Sequence, residues 1–128
     1  LAIGLDAVVF DIRYSPQSRN PAWSGRQMAR RMGNRYRHIR EFGNAYYHEG
    51  GDILIVNYNA GLIEVLRSNR PVILVCVCRD PSICHRTYIG RMLIEDGFTV
   101  EELTPTRVRE VLKCSIAQLP LLSGLEWQ

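Results

Sequence analysis

The run Val75–Arg86, VCVCRDPSICHR, holds three of the four cysteines, one of the three histidines and two arginines. It lies between an apolar strand pattern and a helical one. Its polar groups therefore stand where a strand end meets a helix start, a frequent place for chemistry in α/β proteins. Cys84-His85-Arg86 opens the helix, where free backbone N–H groups and the helix dipole favour an anion and a thiolate. Arg86 is suited to clamp a phosphate or oxyanion, and His85 to move a proton near neutral pH. Adjacent helical residues point about 100° apart, so the three cannot all face one ligand. The bland reading of Cys84 is a small buried apolar residue. Cys76 and Cys78 are two apart on a strand and share a face. Cys76 reads as a core cysteine. Cys78 and Cys84 are the candidate reactive thiols. Two other readings are a metal site from Cys76, Cys78, Cys84 and His85 and a Cys78–Cys84 redox pair. The spacing C-x-C-x5-C-H is not a familiar zinc pattern, and neither a metal nor a cofactor is expected.

A second constellation is Asp11-Ile12-Arg13-Tyr14-Ser15-Pro16, followed by Ser18-Arg19-Asn20-Pro21 and Trp23. Asp11 and Arg13 project to one face at a strand end. An aspartate beside arginines forms a structural ion pair more readily than a ligand site. Ser15, Ser18, Arg19 and Asn20 supply hydrogen-bonding groups in a loop. Trp23 either stacks on a base or packs on the core. The candidate ligand-binding set is Asp11, Arg13, Ser15, Arg19, Asn20 and Arg86.

These residues need elements to hold them, and the chain alternates strand and helix patterns. Ala7 to Arg13 reads as a strand, and Tyr14 to Ala22, with two prolines, as a loop. Ser24 caps a helix through Met32, and Gly33-Asn34 stops it. Strand patterns follow at Tyr36 to Phe42 and Ile53 to Val56, a helix at Asn59 to Ser68, and the clearest buried strand at Val72 to Cys78. Cys84 to Glu95 is a helix ending before Gly97, and Phe98 to Leu103 a short strand. Thr104-Pro105 starts a last helix with Val108, Val111 and Leu112 on its apolar face. The alternation predicts an α/β fold: a mostly parallel sheet of about five strands flanked by helices, a Rossmann-like three-layer sandwich. If the strands ending at Arg13 and Cys78 are parallel and near one another, their loops share a crevice.

With 128 residues, the expectation is one domain over 1–128. No apolar stretch reaches the roughly 18 residues of a membrane span, and the start does not read as a signal peptide. Four cysteines, three of them clustered, do not make a disulfide scaffold, so a reducing cytoplasm is expected. The net charge is +3, unevenly spread. Eight arginines and no acidic residue lie between Ile12 and Arg40, against one lysine, Lys113, in the whole chain. Arginine's planar fork suits phosphate and carboxylate. The expected partner is a phosphorylated small molecule or nucleic acid; the bland alternative is a solvated helix face.

The chain resembles domain-of-unknown-function family 488. Three blocks carry the resemblance: Asp11–Pro16 with Ser18–Ser24, Tyr36–Gly43, and Cys76–Arg86. They keep the family's order over about residues 8 to 95. Cys78 stands where the family typically has glutamate, and the stretch between Gly43 and Asp52 is short for it. The resemblance implies the α/β fold and a shared pocket at the strand ends, and supplies no reaction. The leading expectation is a two-loop anion pocket in which Arg13, Arg19 and Arg86 hold a phosphorylated ligand, with Cys84 or Cys78 as thiol and His85 as proton-transfer group. The alternative is a non-enzymatic nucleic-acid module using residues 13–40.

Overall fold

A computed structural model describes residues 6–46, 52–76, 85–113 and 123–126, the backbone alone at 111–113 and 123–126. Strand β1 (Val8–Asp11) is buried along its whole length, as a run of β-branched and aromatic residues covered on both faces must be. It pairs in parallel with β2 (Tyr36–His38) on one side and β3 (Val72–Val75) on the other. Beyond β3 lie β5 (Ser123–Glu126) and β4 (Val100–Leu103), also parallel, giving the order β2-β1-β3-β5-β4.

Among the described residues these strands are joined by the helices α1 (Gly25–Met32), α2 (Tyr58–Ser68), α3 (His85–Glu95) and α4 (Pro105–Lys113). The period-2 alternation of β1 sends Val8, Phe10 and Ile12 to one face. There they meet Val72 and Leu74 of β3, Val65 of α2, and Ile89 and Leu93 of α3. Ala7 and Val9 go to the other face with Ile73 and Val75, against Met28 of α1 and Val108 of α4. The fold is thus mixed α/β with apolar helix faces against both sides of the sheet. No described helix is long and apolar enough to cross a membrane.

Local chemistry sets the helix ends. The Ser24 hydroxyl accepts from Gln27 N at 3.2 Å, the Asn57 side chain from Ala60 N at 3.1 Å, and Thr104 Oγ1 from Arg107 N at 3.1 Å. Gly33 closes α1 with φ +58°, a conformation that favours glycine.

Three expectations change. Ile53–Val56 is not a strand of the sheet: only Ile55 bridges, antiparallel, to Asn44, while Leu54 and Val56 face solvent. A run of four apolar residues cannot by itself separate a buried strand from a half-exposed edge. The second strand stops at His38, because Arg40–Phe42 turns as a 3-10 helix to bury Phe42. The strand at Ser123–Glu126 was not read from the sequence, where it is short and holds a glycine. The ends of two other expectations, Val77-Cys78 and Cys84, lie outside the described residues, as do the side chains of Val111 and Leu112.

Candidate functional site

The chain leaves β1 through Asp11, the last residue of the strand. Asp11 is fully buried and Arg13 nearly so. Arg13 folds back onto the aspartate as a two-pronged pair, Nε to Oδ1 at 2.8 Å and Nη2 to Oδ2 at 2.5 Å. Asp11 also accepts from the Arg13 backbone N–H at 3.2 Å and from the Tyr36 hydroxyl at 2.6 Å. Four donors occupy its two oxygens, leaving the carboxylate little capacity for a ligand. Burial pushes the Tyr36 phenol well above its ordinary range, and donation to charged Asp11 adds to that. Burial by itself would lower the Arg13 pKa, but the hydrogen bonds and charge of Asp11 outweigh it and the net shift is upward. Arg13 Nη2 also meets Met28 Sδ at 3.5 Å, whereas the buried Nη1 has no hydrogen-bond partner among the described residues.

Two histidines hold the next two carbonyls. His85 Nε2 donates to Ile12 O and His38 Nε2 to Arg13 O, both at 2.7 Å. A carbonyl only accepts, so Nε2 carries a proton in each ring. His85 is buried at the first position of α3, with Cys76 Sγ 3.7 Å from its Nδ1 and 3.9 Å from its Nε2. Ile12 N donates to Val75 O and Ile39 N to Asp11 O, which carries the strand ladders past the formal end of β1. The segment 11–13 is therefore fixed by β2, β3 and α3 together.

The following loop is anchored at several points. Arg40 lies over the Tyr14 ring, 4.4 Å from its centroid, and donates to the Tyr14 hydroxyl. Gly43 packs so closely on the Tyr14 backbone that a Cβ there would come within 2.8 Å of Tyr14 Cα. Gly25 N donates to Pro16 O at 2.8 Å, which ties the loop to the start of α1. Ser15 and Ser18 are half-buried, and Ser18 Oγ accepts from Asn20 N. Asn20 is exposed, with its side-chain oxygen capping the Pro21–Trp23 turn through Ala22 N. Arg19 is exposed and forms no ion pair among the described residues.

Arg86 stands apart from this cluster. It is 1% exposed and pairs with Glu102 Oε1 on β4 at 3.0 Å. The register links Asp11 to Val75, Val75 to Glu126 and Glu126 to Leu103. The carboxylates engaged by Arg13 and Arg86 thus lie three strand spacings apart, about 14 Å. They also lie on opposite sides of the sheet, because Glu102 alternates with Leu103 as Phe10 does with Asp11. The structure brings Asp11, Arg13 and His85 together at one strand exit, with Ser15, Arg19 and Asn20 on the loop that follows in the chain. It does not aim Arg13 and Arg86 at one point. Cys78 and Cys84 lie outside the described residues. The metal and redox readings fall on them, and no group of three or more His, Cys, Asp or Glu side chains suited to a metal occurs among the described residues.

Sequence reasoning assigned no site role to Tyr36, His38 or Glu102. The signal was present for two of them: Tyr36 and His38 are two apart on a strand, so their polar tips fall on the same face. No family model, curated protein or solved structure matches this chain.

Proposed function

We propose that this chain binds a phosphorylated small molecule in the crevice where the loops after β1 and β3 leave the sheet, on a Rossmann-like three-layer frame. One observation carries the reading. From β1 the chain crosses to β2 on one side, then returns to β3 on the other, and β1 and β3 are parallel neighbours. At such a reversal successive connections run over opposite faces, so a crevice opens at the carboxyl ends of the two strands. Both segments with chemically versatile residues leave the sheet there.

In this reading Arg19 is the anion ligand, with the Ser15 hydroxyl and the Asn20 amide beside it. Asp11 and Arg13 are positioning residues whose ion pair holds the exit of β1, and Arg86 ties the start of α3 to β4 through Glu102. Cys84 or Cys78 supplies the reactive thiol on the second loop. His85, held through its Nε2 proton, is placed next to Cys84 in sequence and beside the first loop in space. The likeness of Asp11–Ser24 and Cys76–Arg86 to the family 488 pattern supports the pairing of these two loops.

Calorimetric titration with inorganic pyrophosphate and with ATP tests the proposal. Arg19→Ala removes one charge-assisted contact and is expected to weaken binding roughly 10- to 100-fold. Equal affinity in wild type and variant overturns it. Bound pyrophosphate is also expected to slow iodoacetamide alkylation of Cys78 and Cys84, compared in Cys78→Ser and Cys84→Ser proteins. Alkylation rates indifferent to ligand remove the thiols from the site.

A further inference from the structure

We propose that the outer face of α1 is a separate docking surface for the phosphodiester backbone of duplex nucleic acid. Gly25 and Met28 form the buried side of the helix. Arg26, Ala29, Arg30 and Arg31 are exposed. Arg26 and Arg30 are one turn apart, so their side chains stand about 5–6 Å from each other on one face. Neither forms an ion pair among the described residues, whereas Arg31, about 140° around the helix from Arg26, donates to Ala22 O and lies over Trp23. The carboxylates Glu101 and Glu110, on and beside the other helix of this side of the sheet, are both engaged by Arg107.

Helix stability does not account for these charges. Arg30 and Arg31 in the last turn suit the dipole, but Arg26 lies in the first turn, where a cation is unfavourable and where no acidic residue offsets it. The face holds a charge that folding disfavours.

The surroundings select the occupant. None of the large exposed apolar side chains lies on α1, so nothing there would insert into a lipid surface. Trp23 is half-buried, and the Arg31 guanidinium sits over its ring at 5.7 Å. The guanidinium thus covers one face of that ring, where an unpaired base would otherwise stack. The two guanidinium groups of Arg26 and Arg30, on a helix that carries no aromatic residue, fit neighbouring phosphates, read without regard to base sequence.

Fluorescence anisotropy with a labelled mixed-sequence duplex, between about 50 and 200 mM salt, tests the surface. Two neutralised phosphates give a slope of log affinity against log salt of about −1.8. Arg26→Ala/Arg30→Ala is expected to bring it close to zero, and Arg26→Lys/Arg30→Lys to keep it near the wild-type value. Alanine is the best helix former and both positions are exposed, so the double variant folds. A slope unchanged by the double alanine variant overturns the proposal. So does tighter binding to a single strand of the same length, or binding to phosphatidylserine vesicles but not to duplex. Arg19→Ala, which tests the crevice, is expected to leave the slope intact. A slope that falls with Arg19→Ala and not with the α1 variants assigns the duplex to the crevice and also overturns this surface.

Discussion

Asp11 is a carboxylate taken entirely out of water, tolerable only because Arg13 and Tyr36 surround it with donors. Arg13→Ala leaves that charge buried without its partner and is expected to cost about 3–5 kcal/mol of stability by urea denaturation. Tyr36→Phe removes one hydrogen bond to a charged group and is expected to cost about 1.5–3 kcal/mol near neutral pH. The same tyrosine makes the fold sensitive to alkali. Its pKa is raised in the folded state, so its contribution is fully present below the ordinary value of about 10 and is lost as pH rises through the raised one. The stability of the wild type is expected to fall as pH rises above about 10, and that of Tyr36→Phe to fall less. Tyr58, raised by burial and by its bond to Asp96, acts in the same direction, and Tyr58→Phe separates the two contributions. Parallel pH profiles for wild type and Tyr36→Phe would show that the Asp11 network does not hold the phenol protonated.

The way elements approach each other depends on a few close contacts. Gly61 faces the Phe42 ring across the meeting of α2 with the Arg40–Phe42 turn, and a Cβ at Gly61 would overlap that ring. Alanine at a helix interior normally gains about 1 kcal/mol over glycine. Here the overlap dominates, and Gly61→Ala is expected to lose about 1–3 kcal/mol. Combining it with Phe42→Leu, which removes the ring edge, should restore part of that loss. Ser24→Ala deletes the cap of α1 and is expected to cost about 1 kcal/mol. Because α1 begins where the β1 loop ends, through Gly25 N and Pro16 O, the variant should also raise hydrogen exchange of that amide. Unchanged exchange would separate the cap from the loop.

At the scale of the molecule, the order β2-β1-β3 places side by side the carboxyl ends of two strands that are more than fifty residues apart in the chain. A ligand bound there stabilises the folded state by mass action, so pyrophosphate should raise the thermal midpoint in a concentration-dependent way. The shift should be small or absent in Arg19→Ala and intact in Arg26→Ala/Arg30→Ala. Loss of the shift in both variants would mean that the crevice and the α1 face are one site.

Much of this arrangement is legible in residue order. Periodicity marks β1, β3 and all four helices, because alternation and helical spacing are local consequences of burying one face. The caps Ser24 and Thr104 and the stop at Gly33 follow from backbone donors and φ alone. The basic character of residues 12–40 and the cluster at Cys76–Arg86 are plain in the chain itself. Tertiary structure decides what those side chains face. Asp11 and Arg13 pair with each other because both turn to the same side of a covered sheet. Arg86 turns to Glu102 because α3 packs against β4, a neighbour that no local pattern encodes. Tyr36, His38 and His85 converge on residues 11–13 only once β2 and α3 are brought beside β1. Residue types and local spacing determine which groups are present and which face each takes. Long-range strand order determines which of them meet, since register and neighbour are set by packing between segments distant in the chain.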